Sequence, residues 1–290
     1  MTAFDFRRNN FDLIRLLAAL QVVLWHGLEH LNVPVYDEIS LSLNLFPGVP
    51  VFFVISGFLI SASWSRSGSL IQYAKNRLLR IYPALWVCFL LALLVAVFVF
   101  RADYSAGELA RWIFAQLTIG QFYNPEFLRP YGVGAINGSL WTVPIELQFY
   151  GILPFLWPIC SKLNWNTVLL GVMMGVLVAI NQVYVVFYRG SDGVLLKLFG
   201  VSILPYLYMF LVGVLLYRNL NFVSRFVAGK FYWWVAAICS WTLVAQAVGL
   251  SCRGNYLNPV SAALLGILTI SAAYTRPGFI RSWLKGYDIS

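Results

Sequence analysis

Arg15 and His26 are the first residues in the chain whose types and spacing suggest chemistry. They stand eleven residues apart in the apolar run LIRLLAALQVVLWHGLEHL, 13–31. At 3.6 residues per turn that is close to three turns, so both fall on one helical face, roughly 16 Å apart along the axis. Asp12 lies three residues before Arg15, and Glu29 and His30 lie three and four after His26, on the same side. A neutral imidazole can take a proton from a hydroxyl near neutral pH, and a carboxylate such as Glu29 can orient it or stabilise its charged form. Ionisable groups inside apolar spans are costly and usually face a functional interior. A plainer reading stands beside this one. Arg15 then snorkels to an interface, Glu29 and His30 belong to a loop, and His26 is a hydrogen-bonded structural histidine.

Three further stretches carry candidate chemistry. PGVPVFFVISGFLI, 47–60, combines Pro47, Gly48, Pro50 and Gly57 with the hydroxyl of Ser56. It reads as a loosened helix that lets backbone approach a neighbour or a ligand, or as a kinked packing helix. KNRLLRIYP, 75–83, sets Arg77 and Arg80 at i, i+3 beside Lys75. Two guanidiniums on one side suit a phosphate-bearing ligand, and a topology signal is the alternative. INGSLWTVPIELQFYGILP, 136–154, opens an apolar span with Glu146, with Ser139, Trp141 and Tyr150 near it. A carboxylate there needs a partner; helix capping or a structural ion pair is the alternative.

The elements that position these groups follow from composition. Of 290 residues, 60% are hydrophobic and only 11% charged, against about 25% charged in soluble domains. With a mean hydropathy of +0.77, the chain is all-α and polytopic, a single membrane domain over 1–290. Eight apolar segments, 11–31, 46–64, 81–100, 140–160, 166–187, 198–217, 231–249 and 260–275, approach the ~20 residues a transmembrane helix needs. The piece 109–123 reads as re-entrant or interfacial. The first run is too long for a signal peptide and no cleavage site follows it, so it is a retained helix. With the N-terminus inside, 14 Lys and Arg lie on inner segments against 6 on outer ones, a positive-inside pattern. This places Arg77 and Arg80 at the inner surface and Glu146 on the outer side. The net charge of +9 is spread through short gaps without an aromatic-studded patch, which argues against nucleic acid. Cys88, Cys160, Cys239 and Cys252 lack metal-ligand spacing, and no metal is expected. Gly171 and Gly175 suggest close helix packing. The outer segment 101–139 is long enough to carry function.

Taken in order, Arg15-x10-His26, GVPVFFVISGFLI, NRLLRIYP and SLWTVPIELQFYGILP resemble the membrane-bound acyltransferase 3 family, the bacterial O-acyltransferases of surface glycans. The resemblance covers most of residues 11–160. It implies acetyl-CoA in the cytoplasm as donor, a sugar hydroxyl as acceptor, and an inner-membrane setting with the N-terminus cytoplasmic. On it, Arg15, Arg77 and Arg80 hold the anionic donor, while His26, with Glu29 and Glu146, serves the acceptor. A transporter is the competing class, since polar stripes and broken helices also mark transport paths; a non-catalytic scaffold is a third. The family's last span opens on an Ile-Ser-Tyr-like motif, and this chain ends at GYDIS. The expectation is a chain short of that span, less stable and less active than an extended one.

Overall fold

The computed structural model describes residues 9–31, 33, 34, 39, 43, 45–131, 134–163, 167–188, 193–250 and 258–275. Among these there is no β-strand. The chain divides into two compact units, Met1–Ser61 with Tyr206–Ser290, and Ala62–Pro205.

The first unit begins with α1 (Phe11–His30) and α2 (Gly48–Arg66), whose last turns, from Ala62 onward, belong to the second unit. The second unit continues with α3 (Leu70–Leu94), α4 (Ala106–Leu117), α5 (Thr142–Leu163), α6 (Thr167–Val183) and the short α7 (Val194–Gly200). The chain then returns to the first unit with α8 (Leu207–Arg218), α9 (Leu220–Val227), α10 (Phe231–Ala247) and α11 (Pro259–Tyr274). By length and composition four helices can cross a membrane, and five if the bent pair α8–α9 counts as one span. The eight expected spans are thus not all present as single helices. The segment 198–217 is interrupted: α7 ends at Gly200 and α8 starts at Leu207. Helices α10 and α11 have 17 and 16 residues, short of the ~20 that cross hydrocarbon unaided.

In the first unit, α2 and α8 cross with their backbones in contact. A Cβ on Gly213 would strike the Val54 carbonyl and lie 2.7 Å from Phe58 N; one on Gly57 would strike the Phe210 carbonyl. Without a hydrophobic force between helices in lipid, such close approach provides the packing. Phe53 and Phe210 stack beside the crossing, with centroids 4.6 Å apart. The loosened second span therefore meets a neighbouring helix. Gly171 and Gly175, by contrast, face open space among the described residues, so the close packing expected of them is not seen there.

In the second unit, α3 starts eleven residues earlier than the expected third span. Ser69 caps it, accepting from Gln72 N at 3.2 Å, and the helix runs on through Pro83 into a π turn at Val95–Val99. Arg77 and Arg80 therefore ride on the same helix as the span and not in a loop before it. The described residues of the segment 101–139 fold against α3. Its α4 carries a Ser105–Glu108 capping box. Trp112, Phe127 and Leu128 bury against Phe89 and Ala96 of α3 and its π turn. The piece 109–123, expected to be re-entrant or interfacial, is mostly this short helix α4 followed by turns.

Candidate active site

Helix α1 is continuous from Phe11 to His30, so Arg15 and His26 do share a flank. Asn10 anchors its start to α11: its side chain donates to the carbonyls of Ala272 at 3.3 Å and Thr275 at 3.0 Å. Arg15 is half-buried and lies 4.0 Å from the Asp12 carboxylate. His26 lies on an exposed part of the helix. The side chains of Glu29 and His30 lie outside the described residues, as do Cys252 and the C-terminal stretch 276–290.

A different flank of α1 lines a cavity of about 510 Å³ together with α2, α10 and α11. Leu13, Leu17, Ala18 and Gln21 face it, with Thr269 and Thr275 opposite. None of its lining residues is charged. Gln21 also secures the entry to α2, donating to the Leu43 carbonyl at 2.8 Å and accepting from Gly48 N at 2.7 Å. Nothing in the sequence pattern pointed to this cavity, because Gln21 reads as one polar residue in an apolar run.

In the second unit, two predicted site residues come together around a third. Tyr150, one turn beyond Glu146 on α5, donates its hydroxyl to Glu146 Oε1 at 2.6 Å. Its ring lies under the Arg77 guanidinium of α3, 5.9 Å from Cζ to centroid, a distance at which the ring face attracts a cation. Arg77 Nη2 donates to Ser63 Oγ on α2 at 3.0 Å, while its buried Nε has no hydrogen-bond partner among the described residues. Tyr73 holds the other side of α5, donating to the Tyr150 carbonyl at 3.2 Å, and Trp64 packs edge-on against Tyr73.

The expected separation of an inner Arg77 from an outer Glu146 is not what this geometry gives. A contact of 5.9 Å over the face of one phenol ring and one of 2.6 Å at its hydroxyl together span at most about a third of a hydrocarbon core ~30 Å thick. The two charges therefore belong to one level of the fold. Arg77 and Arg80 also part company. Arg77 turns into the unit and is half-buried, whereas Arg80 is exposed. The sequence left Tyr150 as a neighbour of Glu146 and passed over Ser63 and Tyr73. The usable signal was Tyr150 at i+4 from a carboxylate.

A multi-helix membrane protein with an arginine, a tyrosine and a carboxylate linked inside its helices defines the class. The family model described as an acyltransferase domain matches residues 8–285, and the chain belongs to this acyltransferase 3 family. Nodulation protein 10 of Rhizobium leguminosarum bv. viciae is 32% identical over 305 residues, covering 97% of this chain and 81% of that protein. An O-acetyl transferase of Shigella phage Sf6 is 32% identical over 149 residues, 50% of this chain and 44% of its own. The peptidoglycan O-acetyltransferase OatA of Listeria monocytogenes is 29% identical over 160 residues, 50% of this chain and 23% of its own. No solved structure matches the chain. The protein is an O-acyltransferase of the membrane, and the family favours acyl transfer over the transporter reading.

Proposed function

We propose that this O-acyltransferase takes an acyl group, acetyl in the first instance, from cytoplasmic acyl-CoA and delivers it to a hydroxyl of an exported or lipid-linked glycan. The observation that carries the reading is the linkage of Arg77, Tyr150 and Glu146 within a chain of this family. Two of the matched proteins are named as O-acetyl transferases, one of them acting on peptidoglycan, which supports acetyl as the group and a glycan as the acceptor. The setting is the bacterial inner membrane, with the N-terminus cytoplasmic. That orientation follows from the basic inner segments.

The exposed Arg80, with Arg77, holds the anionic part of the donor, because a guanidinium fork matches phosphate oxygens in pairs. The uncharged cavity beside α1 offers no such groups. His26 accepts the proton of the acceptor hydroxyl. The oxygen attacks the thioester carbonyl, the C–O bond forms as the C–S bond breaks, and the departing thiolate takes the proton back from the imidazolium. Glu29 orients the imidazole and stabilises its charged form, and Glu146, held by Tyr150 at the level of Arg77, stabilises charge there.

Mass spectrometry of the surface polysaccharide with and without this gene tests the acceptor. Loss of O-acyl groups on deletion is expected, and an unchanged polysaccharide would overturn it. Calorimetric titration of acyl-CoA tests the donor. Arg77→Ala with Arg80→Ala should weaken binding, as should high salt, and unchanged affinity would remove both residues from the donor site.

A further inference from the structure

We propose that the turn joining α9 to α10 is a binding site for the phosphate headgroup of an anionic phospholipid. Helix α8 is apolar up to Arg218 and mostly buried. At Asn219 the chain bends by 98° into α9, so where the twelve-residue α8 stands along the bilayer normal, α9 runs parallel to the membrane surface. The composition of α9 suits that place: Phe222 and Phe226 are exposed on a helix that also carries Arg225, the pattern of an interfacial amphipathic helix. Gly229, with φ +69°, turns the chain into α10, whose first residues include the exposed Tyr232 and Trp233. Amphipathic rings of this kind collect at the headgroup level.

The turn also forms a depression of about 470 Å³ lined by Arg225, Phe226, Lys230, Trp233, Trp234 and Ala237. Trp234 Nε1 donates to the Phe226 carbonyl at 2.9 Å, which fixes the two helices around it. The charge is one-sided. From Gly193 to Tyr287 the sequence contains no Asp or Glu, and neither Arg225 nor Lys230 makes an ion pair among the described residues. Two cations at the rim of an aromatic depression, on a surface-lying elbow, call for an anion that arrives with hydrocarbon attached. A phospholipid phosphate meets both requirements: the cations take the phosphate, and Phe226, Trp233 and Trp234 take the glycerol and upper acyl region.

The test follows the melting of the detergent-purified full chain during titration with short-chain phosphatidylglycerol, phosphatidylcholine, inorganic phosphate or CoA. Phosphatidylglycerol should raise the melting temperature saturably, and phosphatidylcholine should do so far less. Arg225→Gln with Lys230→Gln should weaken the phosphatidylglycerol effect by roughly 30-fold in concentration, the loss of two interfacial cations. Arg225→Lys with Lys230→Arg should keep it. The lipid-free melting temperature of each variant shows whether it folds. An equal response to phosphatidylcholine, or no difference between wild type and the Gln variant, would overturn the proposal. Saturation by inorganic phosphate or CoA at the same concentration would also overturn it, making this a site for a soluble phosphate.

Discussion

Tyr150 serves two partners with opposite charges. Its hydroxyl supports the Glu146 carboxylate and its ring supports the Arg77 guanidinium. Removing the hydroxyl alone separates the two. We expect Tyr150→Phe to lower acyl transfer roughly 10-fold or more, the range of a hydrogen bond to a charged group, while the melting temperature and Arg77-dependent donor affinity stay near wild type. In a Glu146→Gln background the same change should cost little more, because the shared interaction is already gone. Fully additive losses would show that Tyr150 acts independently of Glu146. His26 is a different case, since its proposed part is proton transfer itself. His26→Ala should reduce acylation by about 100- to 10,000-fold at normal protein level, and near-wild-type acylation would leave the imidazole without a part in the reaction.

At the scale of elements, the α2–α8 crossing is the least forgiving feature, because the atoms facing Gly57 and Gly213 are backbone and cannot turn aside. Gly213→Ala should destabilise by about 1–3 kcal/mol, the usual cost of overpacking, seen as a lower detergent melting temperature. Gly171→Ala and Gly175→Ala, which meet open space, should be close to neutral and serve as controls. If all three melted alike, the crossing would not be as tight as described. The start of α4 offers a pH test. Hydrogen bonds from the Ser105 hydroxyl and backbone N–H hold the exposed Glu108 carboxyl below its ordinary range. A folded value below the unfolded one means that this contribution is complete above the ordinary carboxylate range and is lost as pH falls through the lowered value. Acidification through that window should therefore lower the amide protection factors, intrinsic over observed exchange rate at the same pH, at the first turn of α4, and Ser105→Ala should remove most of that dependence. A variant with the same acid-dependent loss of protection as wild type would show that the cap is not its source.

At the scale of the whole molecule, the orientation deduced from Lys and Arg can be read at two glycines with room for a side chain. Gly68, between α2 and α3, and Gly107, at the start of α4, have no atom within 4 Å of a built Cβ. In a background lacking Cys88, Cys160, Cys239 and Cys252, Gly107→Cys should react with a membrane-impermeant maleimide in intact cells. Gly68→Cys should react only after permeabilisation. The reverse pattern would invert the topology and move the donor side with it.

The sequence by itself determined the class, because apolar runs long enough for hydrocarbon leave a chain little choice but helices across a membrane. It also determined the family, through motifs spread over residues 11–160, and the shared flank of Arg15 and His26, which periodicity fixes once α1 is continuous. Periodicity, however, describes one helix at a time. It could not tell that Gly57 and Gly213 meet backbone while Gly171 and Gly175 meet nothing, since small residues look alike until a partner helix is present. Nor could it see that the span at 198–217 breaks before α8 and that α8 then bends by 98° into α9. The pairing of Arg77 with Glu146 through Tyr150 was decided only by tertiary structure. It depends on the depth at which α3 and α5 pass each other, and that depth is set by packing between residues more than sixty positions apart in the chain.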